Sequence, residues 1–151
     1  MATVEQTMMK VQRILTGPMG LRVTLGQNRF TVQFTDMSTA VHLTLHDWGK
    51  DDEGEPRTLV IITALLLWEV KVTPALFEWV ARSGGSRLFG HVELVDCDDP
   101  GKVNLWMTHT LLGDYLDEKE LETAMYAVLY TADAWDDELQ QRFGGKRWAE
   151  T

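Results

Sequence analysis

The chain of 151 residues has the length of one ordinary domain, and 44% of its residues are hydrophobic, a fraction typical of globular proteins. Its formal charge of −9, from 23 acidic against 14 basic residues, argues against nucleic acid or an anionic membrane as the main partner, because both are bound by Lys and Arg. No stretch approaches the roughly 18 consecutive apolar residues of a membrane span, so we expect one globular domain over residues 1–151.

The first half of the chain predicts a helix followed by strands. Residues 3–15 carry apolar side chains at spacings of three and four, which form one stripe of a helix. Residues 21–25 suggest a short extended lead-in. Residues 30–34 and 39–48 then alternate apolar with polar side chains, which is typical of half-buried antiparallel strands. A polar loop over residues 49–56 leads to a third strand, and the three strands form a meander.

The third strand, residues 57–70, is apolar on both faces, whereas a half-exposed strand is apolar on one. Strict alternation divides its large side chains into two sets, which are Leu59, Ile61, Leu65 and Leu67 on one face and Val60, Ile62, Leu66 and Trp68 on the other. Each face of this strand therefore needs its own cover.

The second half predicts a helix, a two-strand hairpin and a final helix. Thr73 is the N-cap of the first of these helices, with Pro74 at its first position. Residues 88–95 and 103–112 read as strands that flank the hairpin loop DCDDPGK. Asp117 caps a long last helix that carries a continuous apolar stripe.

This order of elements predicts an α+β fold: helix, three-strand meander, helix, two-strand hairpin, helix. Three helices with one apolar stripe each cover mainly one face of the antiparallel sheet. The other face then presents apolar islands among polar side chains, a pattern typical of a partner surface. We predict that Ile62, Trp68, Phe89 and Trp106, with Val60 beside them, form this contact surface.

Two stretches in the last third of the chain resemble a known family. The stretch LFGHVELVDCDDPGKVNLWMTHTLL covers the hairpin, and YTADAWDDELQQRFGG ends the last helix. Together with the order of elements, they resemble the YbjN-like proteins, which are distant relatives of type III secretion chaperones. The resemblance spans nearly the whole chain. It implies a compact, commonly dimeric α+β domain that holds extended or amphipathic peptide segments as a chaperone or regulatory adaptor.

A small-ligand or enzymatic site is an alternative, because polar groups can converge in the folded chain. His42, His46 and His109, with Asp47, are its candidates. His42 and His46 share one strand face, but four residues of strand span roughly 13 Å, too far for two ligands of one metal. A third interpretation is a structural subunit of a larger complex.

The hairpin loop begins like a calcium-binding loop, with Asp96 and Asp98 at its first and third positions. Pro100 stands where the fifth position needs an oxygen ligand, and Met107 stands where a bidentate Glu is required. We therefore expect neither a metal nor a cofactor.

The sequence also predicts a cellular compartment. Its first 15 residues lack the basic start, apolar run and cleavage site of a secretory signal. A single cysteine, Cys97, excludes an internal disulfide and is typical of a reducing compartment. We expect a cytoplasmic, non-enzymatic homodimer that binds a protein or peptide segment. If the uncovered face self-associates instead, the same residues form the dimer interface.

Overall fold

The computed structural model describes residues 3–34, 36–37 and 39–150. Within them lie three α-helices and one antiparallel sheet with the strand order β1-β2-β3-β4-β6-β5. The elements in chain order are α1 (Val4–Thr16), β1 (Val23–Gly26), β2 (Arg29–Gln33), β3 (Ala40–Lys50), β4 (Pro56–Lys71), α2 (Pro74–Ser83), β5 (His91–Asp96), β6 (Lys102–Leu112), α3 (Glu118–Phe143) and the short 3₁₀ helix η1 (Trp148–Glu150).

The predicted α+β fold and its order of elements are confirmed. Thr73 caps α2 by accepting a hydrogen bond from the Leu76 amide, and Asp117 caps α3 by accepting one from the Glu120 amide. The expected lead-in before β2 is a fourth meander strand, because β1 pairs with β2 along its whole length. The sheet therefore has six strands where five were predicted.

The helices bury one face of the sheet, called here the first face. Leu15 of α1 and Leu121 of α3 are fully buried with Phe30, Leu43 and Ile62 of three adjacent strands. The register aligns these strands, since Phe30 pairs with Leu43 and Leu43 pairs with Ile62. Side chains paired across strands point to the same side of a sheet, so these residues form one continuous core.

The prediction that Ile62 and Val60 lie on the uncovered face is wrong. Both have 0% of their surface exposed and belong to the core under the helices. The physical reason is a β-bulge between Leu65 and Leu67. Leu65 pairs with Trp106 and Leu67 pairs with Leu105, so β4 has one more residue than β6 at this point. The extra residue moves Trp68 to the face opposite Ile62, so strict alternation grouped the two incorrectly.

Candidate functional site

The opposite side of the sheet, called here the second face, forms a shallow cavity of about 430 Å³. Its lining comes entirely from strands and consists of Thr44, His46, Ile61, Thr63, His91, Glu93, Trp106, Thr108 and Thr110. Thr63 and Thr108 lie in its floor and are each only 8% exposed. The second face is thus a trough with a floor of small side chains and with larger side chains around it.

Two tryptophans lie together on this second face, and their role as a partner surface stays a prediction. The rings of Trp68 and Trp106 meet edge to face, with centroids 6.4 Å apart and planes at 81°. Both side chains are half-buried. Their indole N–H groups are buried and find no hydrogen-bond acceptor within the described part of the chain. A buried donor without an acceptor costs about 1–3 kcal/mol, which an added carbonyl oxygen would recover.

A third tryptophan joins the pair from the segment that follows α3. Residues 144–150, called here the post-helix segment, leave α3 through Gly144 and Gly145, whose φ angles are 78° and 87°. Trp148 then packs on Trp68 with ring centroids 6.3 Å apart, and its ring contacts His42 at 6.3 Å. Sequence reasoning ended the helix correctly at the two glycines but missed this contact.

The post-helix segment docks at a free strand edge. The register between β3 and β4 begins at the pair of Val41 with Ala64, so β4 continues seven residues beyond its partner to Lys71. Lys146 uses this edge. Its amide donates to the Trp68 carbonyl oxygen at 2.9 Å, and the Trp68 amide donates to the Lys146 carbonyl oxygen at 2.7 Å.

The histidines proposed for an alternative site do not converge. His42 lies on the second face, and its Nδ1 is 2.8 Å from the Thr31 hydroxyl oxygen. His109 pairs with Ile62 and therefore points to the first face, where its Nδ1 accepts a hydrogen bond from the Gly90 amide. Burial lowers the pKa of both histidines, so each favours the neutral form. His46 lines the second-face cavity on the same face as His42, so only His109 lies apart from the other two histidines.

Phe89 lies apart from the tryptophans with which it was grouped. It precedes β5, and its ring contacts the His109 ring with centroids 5.3 Å apart. It lines a second cavity of about 530 Å³ together with Leu111, Leu112 and Tyr115. Leu112 is 48% and Tyr115 is 68% exposed, so this edge cavity is apolar and open. The predicted single platform is therefore divided into two surfaces.

The chain as a whole can be compared with known proteins. A family model for the T3SS (YopN, CesT) and YbjN peptide-binding chaperones matches residues 8–151. The chain belongs to this family. The resemblance found in the sequence is therefore confirmed. No curated protein matches the chain.

A solved structure shares the fold of this family member. The crystal structure of YbjN from E. coli superimposes with a TM-score of 0.62 over 90% of this chain and 93% of that chain. The two sequences are 11% identical, so the likeness shows the fold alone. In the described part of this family member, no group of three His, Cys, Asp or Glu residues is placed to hold a metal ion. None of its described helices is both long and apolar enough to cross a membrane.

Proposed function

We propose that this protein binds a segment of another polypeptide on its second face and acts as a non-enzymatic, chaperone-like or regulatory adaptor in the cytoplasm. The observation that carries the proposal is the pair of Trp68 and Trp106 on a sheet face that the three helices leave to strands. The family description, a peptide-binding chaperone, supports the same class of partner.

The mechanism combines apolar burial with hydrogen bonding. An apolar side chain of the partner would contact the rings of Trp68 and Trp106, while partner carbonyl oxygens would accept from their buried indole N–H groups. Tryptophans of this kind dominate binding energy, since truncating one at an interface centre costs about 2 kcal/mol or more. Ile62 has no part in the proposed surface, because it is fully buried under the helices.

Charge favours basic or neutral partners. The chain carries a formal net charge of −9, and Glu93 lies in the lining of the second-face cavity. A further cavity of about 420 Å³ adjoins Trp68 and includes the carboxylates of Glu69, Asp98 and Asp99. Complementary charge speeds association and selects among partners more than it adds affinity.

The edge cavity at Phe89 is the natural place for a second contact or for the homodimer interface that the family resemblance implies. It is the more apolar of the open surfaces, with Leu111, Leu112 and Tyr115 beside Phe89. We propose that the tryptophan face binds the partner and that the Phe89 edge is available to a second copy. Sizing of Phe89→Ala and Trp106→Ala proteins separates the two roles, because only the variant at the dimer interface shifts to monomer.

A peptide selection on the full-length protein tests the proposal. Peptides selected on immobilised wild-type protein are titrated against Trp106→Ala and against the control Trp48→Ala. Trp48 is also exposed, at 47%, but lies under the Arg57 guanidinium at the opposite end of β4 from Trp68. We expect Trp106→Ala to weaken binding by about 30-fold, the equivalent of about 2 kcal/mol, and Trp48→Ala to leave it unchanged. Equal affinities for all three folded proteins would exclude the second face as the site.

A further inference from the structure

We propose that the post-helix segment is an internal ligand of the second face, and that the partner which displaces it is a segment with an aromatic residue next to Lys or Arg. This inference rests on the proposed function, because it names the partner class and the regulation of the same surface. It starts from the way in which residues 146–150 are bound in the free protein.

The backbone of the post-helix segment is held as a bound peptide strand would be. Lys146 and Trp68 exchange both amide hydrogen bonds, at 2.7 and 2.9 Å, and form an isolated antiparallel bridge. Such a reciprocal pair is the unit by which an extended peptide adds to a sheet edge. The edge is available because β4 extends beyond the start of β3 at Ala40.

The side chains of the post-helix segment also contact the second face as those of a bound peptide would. The Trp148 ring lies on the Trp68 ring, which in turn meets Trp106, so three aromatic rings form one row. The Lys146 ammonium is 3.1 Å from a carboxylate oxygen of Glu69. Trp148 is half-buried by these contacts.

Glu69, which pairs with Lys146, has an unusual backbone conformation. Glu69 has a φ of 54°, which non-glycine residues rarely adopt, and its amide donates to the Asn104 side-chain oxygen at 3.0 Å. Glu69 lies within a second register shift of β4, between Leu67 and Val70, and this irregularity accounts for its backbone conformation. Here it presents a carboxylate beside the bridge to Lys146.

Most of the remaining contacts of the segment are on the surface, but the Gln140 side-chain Nε2 also donates to the Gly145 carbonyl oxygen at 3.1 Å in a part-buried position. Arg147 pairs with Asp137 and with Glu150, and Gln140 donates to Glu150 at 2.7 Å. These groups are solvent-accessible, and ion pairs of exposed groups contribute little to stability. The segment is joined to α3 through two glycines with positive φ angles, which give the backbone conformational freedom after the helix.

The sequence of the segment indicates the partner class. Its residues Lys146, Arg147 and Trp148 place two cations beside one aromatic ring, and acidic side chains receive both cations. A partner that reproduces this chemistry gains the same contacts. It also gains from the long-range attraction of a chain with a net charge of −9.

A peptide of residues 144–150, GGKRWAE, tests the inference in trans. The labelled peptide is titrated by fluorescence anisotropy against full-length wild type, Trp148→Ala and the control Trp48→Ala. We expect Trp148→Ala to bind it at least about tenfold more tightly than wild type and Trp48→Ala, because a tethered segment competes at a high effective concentration. A peptide with Glu in place of both basic residues should bind Trp148→Ala less tightly than the native sequence.

Two results would overturn the inference. One is equal affinity of the peptide for wild type and for folded Trp148→Ala. The other is an absence of binding both to Trp148→Ala and to Gly145→Ala, in which the added Cβ atom would lie 2.7 Å from the Trp68 carbonyl oxygen and so push the segment off β4. The proposed function is judged separately by the selected peptides. If these bind wild type and Trp148→Ala equally but lose affinity with Trp106→Ala, the proposed function stands and the internal ligand is excluded. If GGKRWAE binds Trp148→Ala and no selected peptide depends on Trp106, the internal ligand stands and the binding function fails.

Discussion

The substitution Gly145→Ala should detach the post-helix segment without changing any aromatic or charged group. Gly145 has a φ of 87°, and a Cβ atom there would lie 2.7 Å from both the Trp68 carbonyl oxygen and Val70 Cγ2. Gly144 offers a matched control, since its φ is 78° but a Cβ atom meets nothing within 4 Å. Both alanine variants carry an unfavourable backbone conformation, and only Gly145→Ala also pushes against β4.

The expected magnitude follows from these two differences. A positive φ costs a non-glycine residue about 1–3 kcal/mol, and Gly144, with a ψ of −154°, lies in a region that is essentially restricted to glycine. Steric overlap in a packed region adds about 1–3 kcal/mol, which applies to Gly145→Ala alone. The released segment escapes both costs, so they act on the docking equilibrium. The steric cost alone should therefore lower the docked-to-released ratio of Gly145→Ala by roughly 5- to 150-fold relative to wild type.

Hydrogen exchange measured by NMR reports this ratio directly. The amides of Trp68 and Lys146 are each protected by the carbonyl oxygen of the other residue, so both should exchange faster in Gly145→Ala than in Gly144→Ala. The Ile62 amide in the middle of β4 should keep its wild-type rate in both proteins. Equal rates in the two variants would refute the steric argument. Loss of protection throughout the sheet in Gly145→Ala would show that the segment is part of the core and not a detachable ligand.

Further predictions concern the stability of the core and the titration of His42. Ile62→Ala should lower the free energy of unfolding by about 2–5 kcal/mol in chemical denaturation, and Ile61→Ala on the second face clearly less, because only Ile62 is fully buried. Thr7 and Thr58 share a buried hydroxyl–hydroxyl hydrogen bond of 2.8 Å, so Thr58→Val should cost about 1–3 kcal/mol and the double variant with Thr7→Val should recover part of it. Burial, aided by a nearby arginine, lowers the pKa of His42, so the unfolded chain takes up its proton more readily and stability should fall as the pH drops below about 6.5. In chemical denaturation from neutral to acid pH, the free energy of unfolding should fall less for His42→Gln than for wild type. An identical fall in the two proteins would contradict this account.

Local signals in the sequence predicted the elements and their order. The three helices follow from apolar spacings of three and four, and the caps at Thr73 and Asp117 mark two of their starts. These features depend on a few neighbouring residues, so a single sequence contains them. The sequence signal for the short strand β1 was weaker, since four residues with one half-buried side chain give little alternation to detect.

The face of each β4 side chain could not be predicted, because it depends on a bulge. From Leu59 to Leu65 alternation holds, and Ile62 and Trp68 then fall on opposite faces only because of the extra residue before Leu67. Nothing in the apolar run marks the bulge, since its residues are all leucines. Strict alternation grouped Trp68 with Ile62, and it fails across the bulge, so of that group only Trp68 lies beside Trp106.

The docking of Trp148 was missed because it has no local pattern. It depends on the length of β4 relative to β3, and on the free edge that this difference leaves at Trp68. A lone tryptophan among polar residues after a helix stop looks the same whether it docks or not. Contacts of this kind, between residues about 80 positions apart, are visible only in the folded chain.

The docked segment also covers an aromatic face that would otherwise be open to contact with other molecules. Without this cover, two tryptophans on a sheet face would favour self-association, because burying their apolar area gains roughly 25 cal/mol per Å². Covering the row with Trp148 reduces this tendency and keeps the contact chemistry in place. Docking of the segment lowers the affinity for a partner at this face, since the apparent dissociation constant rises as the fraction of protein with a released segment falls. The proposed partner would therefore either match the aromatic and basic contacts of residues 146–150 or bind the threonine trough beside them. Only in the first case should its affinity change with Gly145→Ala.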